Sequence, residues 1–266
     1  MPGQSLRRDI AAHLTLADGF VQRVRAAADA AELRGLIDAF ANELGFRHFA
    51  IIHHDDLRDN RPGLINLQNY PDVWADNFIQ QRLYLEDPVV HACLRTNAAF
   101  SWSELSGLIA LSRRHRDILL GGAREGLDRG LTVPCCVPGE PTGSCTLAGP
   151  RRGLAIERYL SVAQLVGAFS FQAARRLVSN NALALPRTTR ITPRQRECIV
   201  LAGQGKSNWE IASILGLSEI TVNRYFDDAR RRYDVATRTQ LVIGALLDGE
   251  ISMLELAPRQ YVHMHG

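Results

Sequence analysis

A short segment near the C-terminus carries side chains of the types that read DNA. Residues 219–233 repeat apolar side chains at helical spacing, at Val222, Phe226, Ala229 and Tyr233, which predicts one buried stripe. The other positions of that helix then face outward and hold hydroxyl, amide, carboxylate and guanidinium groups, at Thr221, Asn223, Arg224, Asp227, Arg230 and Arg231. Such groups hydrogen-bond to base edges and to phosphates.

The elements around this segment predict a helix-turn-helix. Thr192-Pro193 is an N-cap followed by proline at the first helical position, and it opens a helix to about residue 202. Ser207 or Asn208 caps a second helix that runs to residue 215. After a glycine turn, Ser218 caps the third helix, which in this arrangement enters the major groove. A fourth helix over 239–247 completes an all-α, four-helix domain that we assign to residues 191–266.

Positive charge is concentrated in the same region. The whole chain carries 31 Lys and Arg against 28 Asp and Glu, a net charge of +3. Residues 187–247 alone hold ten basic against six acidic side chains, and a basic segment is the expected footprint of phosphate binding. A solvated helical face, or a four-helix packing module that does not bind DNA, remains the alternative interpretation of this region.

Residues 191–251 resemble the LuxR-type helix-turn-helix along its full length, through GKSNWEIA, ILGLS and TV. The resemblance implies a homodimer on a palindromic double-stranded DNA operator. It places the DNA contacts at Lys206, Ser207, Asn208, Ser218, Thr221, Asn223, Arg224, Arg230 and Arg231. Three residues depart from the family: Gln195 stands where Glu is usual, Asn223 where Lys is frequent, and Tyr225 where His is frequent. The operator sequence therefore cannot be transferred from the family.

Residues 1–178 predict an α+β domain. Helical periodicity and capping signals mark helices over 14–45, 72–82, 88–95, 112–126 and 155–178. Short apolar, β-branched runs mark strands over 48–54, 64–68, 99–102, 130–134 and 143–148. Most connections are too short for crossovers, so we expect an α/β/α sandwich around a mainly antiparallel five-stranded sheet. Residues 179–190, rich in Asn, Pro and Thr, are predicted to link the two domains.

Composition argues against several other classes of protein. Hydrophobic residues at 46% and charged residues at 22% are typical of a soluble globular protein. No apolar run approaches the roughly 20 residues of a membrane span, and no signal peptide is recognisable, so we expect a cytoplasmic protein. The five cysteines lack zinc-site spacing, and we find no nucleophile–base pair. We therefore expect no enzymatic activity, no metal and no cofactor.

Residues 18–178 resemble the acyl-homoserine-lactone receptor domain of LuxR-type quorum-sensing regulators. The resemblance depends on an ordered set of residues: Tyr70-Pro-Asp-Val-Trp74, Asp87-Pro88, Trp102, Gly130 and Thr146. Taken singly, each has a simpler explanation. Trp74 or Trp102 is more often a core residue, and Asp87 before a proline is more often a helix N-cap, or both N-cap and ligand contact.

The resemblance implies a role for each polar member of the set. The Trp74 indole donates to the lactone carbonyl, and the Tyr70 hydroxyl donates to the amide carbonyl of the acyl chain. Asp87 accepts the amide N–H as a charge-assisted hydrogen bond. Thr146 is a second candidate for the amide region.

Apolar and aromatic residues complete the implied site. Phe78 stands where Tyr is common in the family, so it can pack against the ligand but cannot hydrogen-bond to it. Phe100 and Trp102 are expected to wall the pocket, and Pro88 belongs to it through the Asp-Pro pair.

Together these features predict a quorum-sensing transcription factor that is switched by a small-molecule autoinducer. An empty pocket would leave buried polar groups without partners, at about 1–3 kcal/mol each, so the ligand would favour the compact state. The alternative keeps the DNA reader and gives the pocket a different small molecule, as in family members without a partner synthase. Phe78 and Asn223 keep that alternative open.

Overall fold

The chain divides into an N-terminal unit, Met1–Ala184, and a C-terminal unit, Leu185–Gly266. The computed structural model describes residues 15–56, 58, 63–137, 140–179 and 191–257. Of the predicted linker, only Ser179 lies within the described residues, where it ends a helix. The C-terminal tail beyond residue 257 lies outside them.

The N-terminal unit alternates helices with short strands. Its helices are α1 (15–26), α2 (Ala30–Leu44), α3 (Asp72–Gln80), α4 (Pro88–Cys93), α5 (Leu105–Leu108), α6 (Arg113–Arg124) and α7 (Leu160–Ser179). Its strands are β1 (Phe46–His53), β2 (Asn66–Gln68), β3 (Phe100–Ser101), β4 (Gly130–Cys135) and β5 (Gly143–Pro150). Single 3-10 turns occur at Leu83–Leu85, Trp102–Glu104 and Ile156–Tyr159. The helix predicted to start near residue 155 thus begins with a 3-10 turn.

The five strands form one antiparallel sheet in the order β2-β1-β5-β4-β3, which confirms the predicted α+β class. Thr146 on β5 lies opposite Ala50 of β1 and Thr132 of β4. Two residues along β5, Ser144 lies opposite Ile52 of β1. Since side chains alternate between the faces of a strand, these residues share one face of the sheet.

The opposite face of the sheet carries the main core. Phe49 and Ile51 of β1 pack there with Leu131 of β4 and with Cys145 and Leu147 of β5. Buried side chains of α1, α2 and α7 cover them, among them Phe20, Phe40, Val166 and Phe171. This division leaves the Thr146 face of the sheet free to form a site under the shorter helices.

The C-terminal unit consists of α8 (Pro193–Gly203), α9 (Asn208–Leu215), α10 (Glu219–Tyr233), α11 (Arg238–Leu247) and α12 (Met253–Leu256). The first four match the predicted helices to within a residue at each end. The fifth, α12, corrects the four-helix prediction. A Ser252–Glu255 capping box starts it, and Leu256 packs against Gly203 of α8, where an added Cβ would lie 2.5 Å from the leucine. One helical turn is too short for periodicity to reveal.

Candidate functional site

A cavity lies on the Thr146 face of the sheet, beneath α3, α4 and α6. The space between its walls amounts to about 800 Å³ when the open solvent at the mouth is included. Six of the eight predicted ligand residues line it: Tyr70, Trp74, Phe78, Asp87, Trp102 and Thr146. Its remaining walls are mainly apolar, with Ile79, Val89, Val90, Ile118, Leu119 and Leu127.

The other two predicted ligand residues do not line the cavity. Pro88 is buried as the first residue of α4. Phe100 is buried in a neighbouring cluster with Ala92, Cys93 and Leu105. Phe100 packs behind the wall of the cavity, because Val89 of α4 belongs both to the cavity and to that same cluster.

Trp74 enters the cavity from α3 and packs against a pair of glycines on α6. A Cβ on Gly121 would lie 2.8 Å from the Trp74 ring, and one on Gly122 would lie 3.4 Å from it. The helices therefore approach this closely only because α6 lacks side chains there. No acceptor for the Trp74 indole N–H is found in the part of the chain that the structure describes, so this donor is available to a ligand.

A chain of hydrogen bonds holds Thr146 beside Tyr70. Trp102 Nε1 donates to Thr132 Oγ1 at 3.0 Å, and the Thr132 and Thr146 hydroxyl oxygens are 2.9 Å apart. Thr146 also faces the Tyr70 phenol, where its hydroxyl acts to lower the pKa of Tyr70 against the larger effect of burial. Indole is donor-only and Thr132 is fully buried, so Thr132 satisfies its own proton by donating to Thr146.

The Tyr70 hydroxyl has no hydrogen-bond acceptor among the residues that the structure describes, so the phenol proton of Tyr70 is available to a ligand acceptor. Burial raises the pKa of Tyr70, with the nearby Asp87 carboxylate adding to the rise, so the phenol keeps its proton. Trp102, by contrast, uses its N–H within the protein and acts as a wall.

Asp87 is both an N-cap and a cavity residue. Its carboxylate accepts from the Val89 backbone N–H at 2.8 Å and begins α4. Burial raises the pKa of Asp87 to about 6, against the opposing effect of its backbone hydrogen bonds from Val89 and Val90. The carboxylate is therefore mostly ionised at neutral pH and can still accept a hydrogen bond from a ligand.

Sequence reasoning missed a second polar group in the cavity. His54, Asn66 and Ser144 also line the cavity, further along the strands from the level of Thr146. His54 Nε2 lies 3.0 Å from Ser144 Oγ. Strand alternation could have placed Ser144 on the same face as Thr146, but nothing local pairs it with a histidine 90 residues away.

The predicted DNA residues lie on and between α9 and α10 of the C-terminal unit. Ser207 and Ser218 cap these two helices, each accepting from a backbone N–H three residues on. Asn223 and Arg224 are exposed on α10. Thr221 exchanges a hydrogen bond with the Ser218 hydroxyl at 2.8 Å. Backbone amides and side chains at the start of a helix are well placed for phosphates.

The remaining predicted contacts are paired within the unit. Lys206 lies 3.3 Å from Glu210, while Arg230 and Arg231 pair with Asp227 and Asp228. Such exposed pairs are weak, at about 0–1 kcal/mol, so phosphates can replace the acidic partners.

A further residue of the C-terminal unit, Arg238, was missed. It donates to Asn208 Oδ1 at 2.8 Å and to the Lys206 carbonyl, and it stacks 4.7 Å over the Phe226 ring. Arg238 thereby fixes the start of α9 against α10. Its place just before the predicted fourth helix gave no sequence signal for that role.

The described residues contain no group of three or more His, Cys, Asp or Glu that could hold a metal ion. Within the same residues, no helix has both the length and the apolar character of a membrane span. All five cysteines are free, and only Cys136 is exposed.

Comparison with known proteins matches each of the two units to a family. Residues 29–177 match the family model of the autoinducer binding domain, and residues 189–245 match that of the bacterial regulatory proteins, luxR family. The quorum sensing-dependent regulator RpaR of Rhodopseudomonas palustris is 28% identical over 88% of this chain and 92% of its own. The transcriptional activator LuxR of Aliivibrio fischeri is 24% identical over 70% of this chain and 74% of its own.

Solved structures share the fold at lower identity. A structure of SdiA in complex with octanoyl-rac-glycerol covers 90% of this chain and 96% of its own, with a TM-score of 0.62 and 21% identity. A crystal structure of Escherichia coli SdiA gives a TM-score of 0.60 at 22% identity, over 89% of this chain and 98% of its own. The chain therefore belongs to the LuxR family of autoinducer-binding, DNA-binding transcriptional regulators, and not to a family of enzymes.

Proposed function

We propose that this chain is a quorum-sensing transcription factor that binds an acyl-homoserine lactone in its N-terminal cavity and regulates promoters as a homodimer. The observation that carries the proposal is the convergence of Tyr70, Trp74 and Asp87 on one cavity with apolar walls. Two donors and one acceptor meet there. An acyl-homoserine lactone presents the complement, two carbonyl acceptors and one amide donor, together with an apolar chain.

The residue roles follow from this match. Trp74 donates to the lactone carbonyl, Tyr70 donates to the amide carbonyl, and Asp87 accepts the amide N–H. Thr146, held by Thr132, lies beside Tyr70 as a second hydroxyl for the amide region. Phe78, half-buried 6.0 Å from the Trp74 ring, gives the ligand an aromatic surface and no hydrogen bond.

Ligand control follows from the hydrogen bonds that a ligand adds. Asp87 and Trp74 hold an acceptor and a donor that a ligand can meet, each new hydrogen bond contributing about 0.5–1.5 kcal/mol and up to about 3 kcal/mol at the ionised carboxylate. A ligand that satisfies them stabilises the folded N-terminal unit by mass action. The receptor then holds two DNA-reading units at a fixed spacing, as a palindromic operator requires.

Exposed apolar pairs support the homodimer. On α7, Leu165 and Phe169 are 39% and 37% exposed, and on α11, Ile243 and Leu247 are 49% and 44% exposed. Each pair is four residues apart, so each forms a stripe along its helix. Symmetric pairing of these helices between two copies would bury both stripes.

The proposal is tested by titrating the purified full chain with butanoyl-, hexanoyl-, octanoyl- and decanoyl-homoserine lactone in a calorimeter. We expect one to bind, and Trp74→Phe and Asp87→Asn to weaken that binding about 5- to 150-fold, the equivalent of about 1–3 kcal/mol. Trp209→Phe and Asp76→Asn make the same substitutions at exposed positions and should leave the affinity unchanged. Equal affinity in all four variants would refute the polar assignments.

A second candidate is a regulator of the same family that senses a different acyl compound. The SdiA structure with octanoyl-rac-glycerol favours it, because that ligand carries an ester in place of the amide. Asp87 distinguishes the two candidates, since an amide offers it an N–H and an ester does not. Binding of octanoyl-glycerol but of no lactone in the series, unaffected by Asp87→Asn, would establish this alternative.

A further inference from the structure

The cavity has a second polar region that the amide-binding residues do not use. Ser144 lies two residues before Thr146 on the same face of β5, a displacement of about 7 Å along the strand. His54, directly after β1, hydrogen-bonds to Ser144 at 3.0 Å and also lines the cavity. Between the two polar regions β1 presents Ala50 and Ile52, and the neighbouring β2 presents Gln68 and Asn66 beside them.

The His54 ring has unused hydrogen-bonding capacity. Its Nε2 bonds to Ser144, whereas its Nδ1 is buried without a partner among the residues described here. Burial lowers the pKa of His54 to about 4, with a smaller contribution from His53, so the ring is neutral at physiological pH. A neutral imidazole offers one donor and one acceptor. Buried nitrogen atoms without partners are rare in folded proteins.

We infer that this cavity recognises a second polar group, a hydroxyl or carbonyl on the acyl tail of the ligand, through the His54 imidazole. The inference rests on the proposed lactone function and specifies its ligand class. With the amide held by Tyr70 and Asp87, a tail that follows the sheet face past Ile52 reaches His54. A saturated tail would leave His54 Nδ1 unmet, and a hydroxylated or oxidised tail would satisfy it.

Both tautomers of His54 fit this ligand class. If Ser144 donates to Nε2, then Nδ1 carries the proton and donates to a ligand carbonyl or hydroxyl oxygen. If Nε2 donates to Ser144, then Nδ1 accepts from a ligand hydroxyl. A hydroxyl is therefore satisfied in either case, which makes it the better probe.

The test compares two ligands of equal heavy-atom count, heptanoyl-homoserine lactone and ω-hydroxyhexanoyl-homoserine lactone. Calorimetry should give the full-length chain about three- to tenfold higher affinity for the hydroxylated ligand, because a net hydrogen bond is worth about 0.5–1.5 kcal/mol. His54→Phe keeps an aromatic ring and removes both nitrogens. We expect it to reverse the preference, since an unpartnered hydroxyl is costly to bury.

Two further variants control the comparison. His48→Phe is the same substitution within β1, six residues before His54, at a ring that does not line the cavity, and the hydroxyl preference should survive it. Ser144→Ala leaves His54 in place, so it should keep the preference and gives a measurable variant if His54→Phe fails to fold. A wild-type preference for the heptanoyl ligand overturns the inference while leaving the lactone function intact. Failure of both ligands to bind overturns the lactone function, and the inference with it.

Discussion

The two units differ in how their polar groups find partners. In the C-terminal unit, a Ser or Thr side chain caps each helix and accepts from the backbone three residues on, at Thr192, Ser207, Ser218, Thr237 and Ser252. In the N-terminal unit, the Trp74 indole and His54 Nδ1 have no protein partner among the described residues, and Asp87 is buried with a raised pKa. The caps are satisfied within the C-terminal unit, whereas the polar groups of the N-terminal unit are available to a ligand.

This difference predicts that the C-terminal unit keeps its own core independently of ligand. Phe226, 5% exposed, packs with Val222 and Leu241. Phe226→Ala should destabilise the C-terminal unit by about 3–5 kcal/mol and abolish DNA binding. Ligand affinity, measured by calorimetry, should be unchanged. Ile220→Ala, at an 82% exposed position of the same helix, should leave the unfolding free energy unchanged. Loss of ligand binding in Phe226→Ala would mean that the two units do not fold separately.

Substitution of Gly130 in the N-terminal unit should have the next largest effect on stability, and it should also weaken ligand binding. A Cβ on Gly130 would lie 2.9 Å from the Leu147 carbonyl and 2.9 Å from the Trp102 ring. Gly130→Ala should therefore displace Trp102 and destabilise this unit by about 1–3 kcal/mol, and ligand binding should weaken. Gly107→Ala meets nothing within 4 Å and is the matched control. Thermal unfolding with and without ligand measures both, and a wild-type response in Gly130→Ala would contradict the packing described.

Ligand affinity should depend on pH through Asp87. A carboxyl whose pKa is raised to about 6 binds a proton as the pH falls and then loses its value as an acceptor for the amide. Affinity should therefore fall below about pH 6, by up to about tenfold per pH unit. The same raised pKa means that the ligand-free protein loses stability from this group as the pH rises from about 4 to 6. Asp87→Asn should remove both effects, and a flat affinity profile in the wild type would contradict them.

The smallest effect is expected at a helix cap of the C-terminal unit. Ser207→Ala removes the acceptor for the Glu210 backbone N–H and should destabilise α9 by about 1 kcal/mol. DNA affinity should decrease modestly, and saturating ligand should not restore the lost stability. Ser112→Ala removes the equivalent cap of α6 in the N-terminal unit, where ligand should restore part of it. If saturating ligand restored the same stability to Ser207→Ala and to Ser112→Ala, the proposed difference between the two units would be contradicted.

The same difference explains what the sequence could predict. The ends of helices α8 to α11 are marked by capping residues that lie only a few residues from the backbone groups they satisfy. This signal is local in the sequence, so the bounds of these helices were predictable to within a residue. The strands of the sheet were predictable in number and direction, but β2 proved shorter than expected, at Asn66–Gln68. Its extent depends on pairing with β1, which is not a local property.

The cavity was predictable only in part. Family resemblance named Tyr70, Trp74 and Asp87, and the cavity contains all three. It could not name the glycines of α6 that admit the Trp74 ring, because that contact joins residues 47 positions apart. The His54–Ser144 pair, likewise, exists only once β1 and β5 are adjacent. Contacts between distant elements decide the shape of the pocket, while local signals decide the helices around it.

Segment-resolved hydrogen exchange of the full chain, with and without saturating octanoyl-homoserine lactone or a better-binding member of the series, tests most directly whether the ligand completes the N-terminal unit. We predict that the amides of α3, α4 and β5, which carry Trp74, Asp87 and Thr146, become at least about tenfold more protected, as about 1.4 kcal/mol of local stabilisation requires. The amides in the core of α8 and α9 should exchange at unchanged rates. Unaltered exchange in α3 and α4, or an equal gain of protection in α8 and α9, would contradict the claim that the ligand completes the N-terminal unit.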